Sequence, residues 1–284
     1  MPYPIPPWET RTVGELREQF EVERELARRL REASDRRGLY GRVYDEFLQR
    51  VPHYRFAQSN LGAQSAVLVA LQLRLLDPFL LSRPRFLEVG GAGCGLTVEL
   101  SRRLPRVIAI EAGSGMIDGV ESTRNLEIIV RDTPPYPLTD GCVDLAFSSH
   151  LIEHLLPADA LLHLREIRRL LAPGGRYVCV TPNRLWGPHD VSRYFSDEPE
   201  GLHLREYTHN ELLGLMKKAG FRNRRIIAHL GGTGAVIPHI ASRALEAALA
   251  ITPTSFRRRA LDVLSRGRTA PMRLLEQVIV IGSC

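Results

Sequence analysis

The segment Phe86-Leu87-Glu88-Val89-Gly90-Gly91-Ala92-Gly93-Cys94-Gly95-Leu96-Thr97 constrains this chain more than any other. An apolar run ends in an acid, passes four glycines and opens a helical pattern. Glycines remove the Cβ that would hold a ligand away from the backbone, and the first turn of the following helix presents unpaired N–H groups. This is a nucleotide-binding turn, and a strand that feeds a helix through it belongs to a layered α/β fold. The spacing excludes one common variant. The dinucleotide pattern G-x-G-x-x-G, started at Gly91, finds Gly93 in register but Leu96 where the third glycine belongs.

Apolar runs near residues 85–89, 106–110, 126–130, 143–148 and 175–181 alternate with helical patterns, which predicts a parallel sheet covered on both faces. The helix over 158–171 sets Leu161, Leu164, Ile167 and Leu171 on one face, with Pro157 at its start and Pro173-Gly174 at its stop. Thr208-x-x-Glu211 is a capping box for a helix running to Gly220. Residues 224–230 and 275–281 read as two more strands, separated by an insertion, 233–270, expected to be helical.

With these segments in place, Leu87-Glu88-Val89-Gly90-x-x-Gly93-x-Gly95 resembles the first motif of the class I S-adenosylmethionine-dependent methyltransferases. Val107-Ile108-Ala109-Ile110-Glu111 is similar to the family's second strand, Ile128-Ile129-Val130-Arg131-Asp132 to its third, and 143–154 to its fourth strand with the loop beneath the methyl group. Leu170-Leu171-Ala172-Pro173-Gly174-Gly175-Arg176-Tyr177-Val178 matches the Pro-Gly-Gly turn into the fifth strand. The resemblance implies a Rossmann-like seven-stranded sheet, mostly parallel with an antiparallel last strand and helices on both faces. An N-terminal helical extension, 1–81, would act as a lid on a methyltransferase domain, 82–284, that carries the insertion 233–270.

The same resemblance implies S-adenosylmethionine as cofactor and S-adenosylhomocysteine as product. Gly90, Gly91, Ala92 and Gly93 would cradle the amino-acid part, with Glu88 supporting them through a network of strand-end carboxylates. Glu111 would accept the ribose hydroxyls and Asp132 the adenine amino group, with Ala112, Thr133 and Ser149 completing the binding set. The sulfonium carbon is already electrophilic, so the protein's task is to hold an acceptor in line with it and remove a proton where needed.

Histidines gather on the acceptor side. His150, Glu153 and His154 have helical spacing, and His189, His203 and His209 follow the fifth strand. His154 and His203 are the candidates for general base, since imidazole titrates near neutrality. Ubiquinone-pathway O-methyltransferases and small-RNA 2′-O-methyltransferases carry a similar Glu-x-x-Glu-His pattern that binds a divalent ion. Here His150 replaces the first glutamate, while Glu153, His154 and His203 match. Such a set suits manganese, iron or zinc better than magnesium. Many metal-free relatives keep a Glu-His pair that only fixes the loop, so no metal ligand is assigned from sequence.

The formal charge of +6 invites a nucleic-acid partner. Its distribution argues against one: Lys217 and Lys218 are the only lysines, most arginines lie beside glutamates on helical patterns, and no nucleic-acid-binding module is recognisable. Arg36-Arg37 and Arg257-Arg258-Arg259 are exceptions. Four cysteines without Cys-x-x-Cys spacing read as reduced thiols, and the Pro-rich start, 1–10, has no secretion-signal pattern, so a cytoplasmic location is expected. Residues 12–37 read as a charged helix with a thin apolar stripe, Val13, Leu16, Phe20, Leu26 and Leu30, suited to an appended or partner-contacting element. Tyr40, Tyr44, Phe47, His53, Tyr54 and Phe56 suit a cover over the acceptor or a helix-packing seam, and 60–81 reads as a helix on the sheet. In the insertion, Ile240, Ala244, Leu245, Ala248 and Leu249 form an apolar face, with Phe256, Ala260, Leu261 and Leu264 beside the arginine triplet. This face suits a membrane surface, a lipid-linked substrate, a homodimer contact or a cap on the sheet.

Three functions are compatible with these residues. The favoured one is methyl transfer to an oxygen of a small molecule: a sugar, a natural product or a quinone-like acceptor. The others are an RNA 2′-O-methyltransferase using the His/Glu set, and a protein that binds the cofactor without transferring its methyl group.

Overall fold

Fully buried apolar strands need cover on both faces, and this sets the layers of the molecule. The computed structural model describes Ile5 and residues 9–54, 63–117, 119–121, 123–230, 233–252, 256–257 and 277–284. Strands β1 (Phe86–Val89) and β2 (Val107–Glu111) are buried at every position. With β3 (Leu126–Val130), β4 (Val143–Ser149) and β5 (Leu171–Pro182) they form the parallel part of the sheet. β6 (Arg222–Leu230), β7 (Thr233–Ile237) and β8 (Gln277–Ser283) complete an eight-stranded sheet in the order β3-β2-β1-β4-β5-β8-β6-β7. β8 runs antiparallel between β5 and β6.

The seven strands expected become eight. β7 pairs antiparallel with β6, Ile226 facing Ile237 and Leu230 facing Thr233, so the insertion starts as a strand. Its β-branched Thr233, Val236 and Ile237 favour extended backbone. The strand order turns at β1, which pairs with β2 on one side and β4 on the other. A crevice opens outside the carboxyl ends of strands at such a point, and it lies where the glycine turn leaves β1.

Helix α1 (Val13–Glu32) starts at the capping box of Thr12 and Glu15. The thin stripe expected there is wider: Leu16, Phe20, Val22, Leu26, Ala27 and Leu30 are buried, and so are Gln19 and Glu23, which satisfy each other through a 2.6 Å hydrogen bond. Polar residues with local partners can be buried without penalty, and hydropathy alone misses that. Val22, Leu26 and Leu30 share one apolar cluster with Tyr40, Val43 and Phe47 of α2 (Leu39–Arg50) and with Val89 and Ile110 of the sheet.

α2 presses against the loop after β2. A Cβ at Gly41 would collide with the carbonyl oxygen of Ala112. The N–H groups of Gly38 and Gly41 donate to Asp132 at 3.0 and 3.3 Å, and Gly115 N–H donates to Asp45 at 3.3 Å. The N-terminal segment therefore roofs the carboxyl ends of β1–β3.

α3 (Ala63–Leu80) and α4 (Gly95–Ser101) pack on one face of the sheet, with Leu76, Leu96 and Leu100 in one cluster with Phe147, Val180 and Ile279. α5 (Pro157–Leu170) and α6 (His209–Lys218) cover the other face; α6 starts at the expected box of Thr208 and Glu211. α7 (His239–Ala250) buries only Ser242 and is tied to α6 through Glu246, which accepts from Thr208 Oγ1 and Asn210 N–H. Its Ile240 and the nearby Phe256 are exposed. Phe56, Arg258, Arg259, Ala260, Leu261 and Leu264, and most of the N-terminal arm, lie outside the described residues. Among the described residues no helix is long and apolar enough to cross a membrane. Cys94, Cys142, Cys179 and Cys284 are free thiols.

Candidate active site

A cavity of about 640 Å³ opens at the carboxyl ends of β1, β2 and β4 beneath α2. Its size falls in the usual range for small-molecule sites. Gly90, with φ +70°, turns the chain out of β1, and a Cβ at Gly91 would stand 2.5 Å from the Glu88 carboxyl carbon. Gly91 is thus fixed by close approach, and the turn and carboxylate form one unit.

Two carboxyl groups face this turn from within. Glu88 is buried, and burial followed by the charge of Glu111 pushes its pKa up to about 8. Its Oε2 has no hydrogen-bond partner among the described residues. Glu111 is pushed up to about 7 by burial, although the N–H groups of Ala92 and Gly91 donate to it. Buried carboxyls with spare acceptor capacity suit a ligand that brings hydroxyl or ammonium donors.

Ala112, Asp132 and Ser149 line the cavity, whereas Glu88, Gly93 and Thr133 do not. Asp132 does more than the sequence suggests, since it also caps the start of α2 and accepts from Thr133 Oγ1 at 3.3 Å. At the floor, a buried neutral His163, lowered to about 4 by burial, links the hydroxyls of Tyr136 and Tyr177.

The opposite wall is built from histidines. The helical spacing of His150, Glu153 and His154 is realised only in part: residues 152–154 form a single tight helical turn, and His150 has φ +55°. The groups still converge. His150 Nδ1 lies 3.2 Å from Glu153 Oε1, and Thr181 Oγ1 donates to Glu153 Oε2 at 2.8 Å. Burial alone would raise the Glu153 pKa, but His150 beside it and the nearby His154 and His203 bring it down to about 2.

His154 and His203 meet edge to face, their ring centres 4.8 Å apart, in opposite protonation environments. His154 is lowered to about 4, first by burial and then by His203. Its Nδ1 lies 3.0 Å from the Leu202 carbonyl, which assigns the proton to Nδ1 and leaves a lone pair on Nε2. Burial would also lower His203, but Glu206, 2.7 Å from its Nδ1, raises it to about 10. The Glu206 contact favours the protonated His203 ring, which leaves His154 the better placed of the two candidate bases.

One atom each of Glu153, His154 and His203 lie mutually within 4.8 Å, the size of a metal-binding set. The donor chemistry fits a divalent ion: two imidazoles and a carboxylate, with the outer nitrogens of the rings held by Leu202 O and Glu206.

Glu206 and Glu23, which support the site, are not singled out by the sequence, and Tyr44 appears there only among the aromatics suited to a cover. Glu206 is buried, held below the ordinary range by His203 against the effect of burial, and also accepts from His189 N–H at 2.7 Å. Glu23 of α1 reaches across to accept the Leu202 N–H at 3.1 Å and fixes the loop carrying His203. Tyr44 of α2 places its buried hydroxyl in the cavity wall, with its ring edge-on to His154. Only the cluster of aromatics ahead of β1 pointed toward any of them.

Residues 87–179 match a family model described as a methyltransferase domain. A ubiquinone biosynthesis O-methyltransferase of Ruegeria pomeroyi is 29% identical over 151 residues, covering 48% of this chain and 59% of that one. A biotin biosynthesis bifunctional protein of Cellvibrio japonicus is 32% identical over 111 residues, 38% of this chain and 22% of that one. The chain thus spans less than two thirds of these relatives' lengths. Among solved structures, an S-adenosylmethionine-dependent methyltransferase of Thermotoga maritima superposes with a TM-score of 0.54 at 18% identity, covering 86% of this chain and 99% of that one. One from Archaeoglobus fulgidus gives 0.51, also at 18% identity, with 82% and 99% coverage. At that identity the likeness concerns the fold.

Proposed function

Taking as premise that this chain belongs to the class I S-adenosylmethionine-dependent methyltransferases, we propose that it transfers the methyl group to an oxygen of a small-molecule acceptor bound beside His154 and His203. The observation that carries this reading is the unlike histidine pair. A neutral imidazole with a free Nε2 and an imidazolium fixed by Glu206 share one cavity with the glycine turn. An acceptor hydroxyl placed there gives its proton to His154 as the oxygen attacks the methyl carbon. The sulfur–methyl bond breaks, its electron pair stays on sulfur, and S-adenosylhomocysteine leaves. His203 favours negative charge on the attacking oxygen, and Glu153 stabilises the imidazolium formed at His154. An ammonium acceptor would meet a like charge at His203.

The cofactor half is assigned accordingly. Gly90 and Gly91 receive the amino-acid part and Glu111 accepts from ribose hydroxyls, while Glu88, which does not line the cavity, supports the turn from behind Gly91. The lid role of the N-terminal segment rests on α2 roofing both halves.

Glu153, His154 and His203 also fit a divalent ion, and one bound there would supply Lewis acidity toward the acceptor oxygen in place of the His203 proton. The test is transfer of labelled methyl from S-adenosylmethionine into fractionated extract, with and without a chelator. Label in small molecules supports the reading, and loss of label with chelator assigns the metal. Label confined to RNA, or no label despite cofactor binding, would refute it.

A further inference from the structure

The cavity has a rim that carries none of the groups assigned to cofactor binding or proton transfer. Leu68 and Gln72 of α3 line it together with Pro182 at the end of β5 and Gln277 at the start of β8. Pro182 and Gln277 are paired across the sheet, and Gln277 Nε2 lies 3.4 Å from His150 Nε2, so this rim adjoins the acceptor wall. From Ala63 to Leu73, α3 carries no charged residue. Its inner side packs Val69, Leu73 and Leu76 against the sheet cluster. Its outer side presents Val67, Leu68 and Leu71, which are 61%, 45% and 49% exposed.

Single exposed leucines are ordinary, but three apolar side chains on one helical face, continuous with a ligand cavity, mark a binding surface. The cofactor and the acceptor must share about 640 Å³, so an acceptor much larger than a ring extends out of the cavity, and at this rim the lining is continuous with an exposed apolar face. Along α3 such a part meets Val67, Leu68 and Leu71 and no charged side chain before Arg74. We propose that the acceptor is amphiphilic: its hydroxyl-bearing head lies at the histidines, and an apolar tail runs out along Val67, Leu68 and Leu71 of α3. This inference rests on the small-molecule reading above and deepens it.

The probe is a series of 3,4-dihydroxybenzoate alkyl esters, methyl to octyl, titrated calorimetrically into the protein saturated with S-adenosylhomocysteine. Affinity should rise by about tenfold or more across the series, as expected for methylenes leaving water. The double variant Val67→Asp/Leu71→Asp changes exposed positions outside the cavity wall. It should flatten the series while leaving methyl-ester and cofactor affinity unchanged.

A flat series in the unaltered protein, an unchanged slope in the variant, or no ester binding with S-adenosylhomocysteine bound would each overturn the proposal. A flat series combined with phosphatidylcholine-vesicle binding that the variant abolishes would also overturn it, by assigning the face to a lipid surface. Transfer of methyl to the esters is scored separately. Chain-dependent binding without transfer would leave the tail site standing and remove the acceptor chemistry on which it rests.

Discussion

The carboxyl groups on the two sides of the cavity are shifted in opposite directions. On the cofactor side Glu88 and Glu111 are held above the ordinary carboxylate range by burial, with no basic side chain among the described residues beside them to offset it. On the acceptor side Glu153 and Glu206 are held below it, each against a histidine. Burial is similar in the two halves; only the partners differ. One half is completed by donors that its ligand brings, and the other is preorganised before any acceptor arrives. Ligand binding should therefore stabilise the cofactor half most, and substitutions in the acceptor half should fall mainly on turnover.

The sharpest break between the halves is expected at His154. His154→Ala should cut kcat by about a hundredfold or more, the usual reach of a general base, with cofactor affinity unchanged by calorimetry. A parallel loss of cofactor binding would merge the halves. Next, Glu111→Ala should weaken cofactor binding by roughly tenfold to a hundredfold, the worth of a charged hydrogen-bonding group. An unchanged dissociation constant would remove Glu111 from the cofactor half.

Glu206→Gln is a subtler test, because Glu206 acts through His203. Without its charge the His203 pKa falls from about 10 toward the ordinary value of about 6.5, and the alkaline limb of kcat/KM should move down with it. Turnover near pH 8 should drop by about tenfold while the acid limb stays in place. An unshifted limb would leave Glu206 a purely structural residue.

The smallest effect is on stability. A carboxyl whose folded pKa is raised contributes stability below its unfolded value, about 4.3, that is lost as pH rises through the folded value, about 8 for Glu88. Glu88→Gln removes this dependence. Its melting temperature should gain on the unaltered protein by about a few degrees as pH rises from about 5 to about 8. A constant difference would mean that Glu88 is not titrating there.

The contrast also explains which parts were legible in the sequence. Each cofactor element is short and continuous: a strand, its terminal acid, its turn. Glu88, Gly90, Gly91 and Glu111 therefore lie in the strands and turn that contiguous motifs predict. The acceptor wall is assembled over long range, by Glu23 reaching Leu202, by Glu206 behind His203 and by Tyr44 over His154. Spacing located the histidines, but it could not show that a buried carboxylate makes one a cation while burial keeps the other neutral. Asp132 stood where its motif placed it, yet its capping of α2 depends on Gly38 and Gly41, which no local pattern connects to it. β7 was missed because the insertion's later apolar periodicity masked a strand of five residues.

The most direct test of the oxygen-transfer reading is the chemical shift of the methyl carbon in product made from ¹³C-methyl-labelled S-adenosylmethionine. The account predicts a resonance in the range of methyl groups bound to oxygen, strongly reduced at equal time in the His154→Ala reaction. A methyl bound to nitrogen or carbon, or undiminished product from that variant, would contradict it.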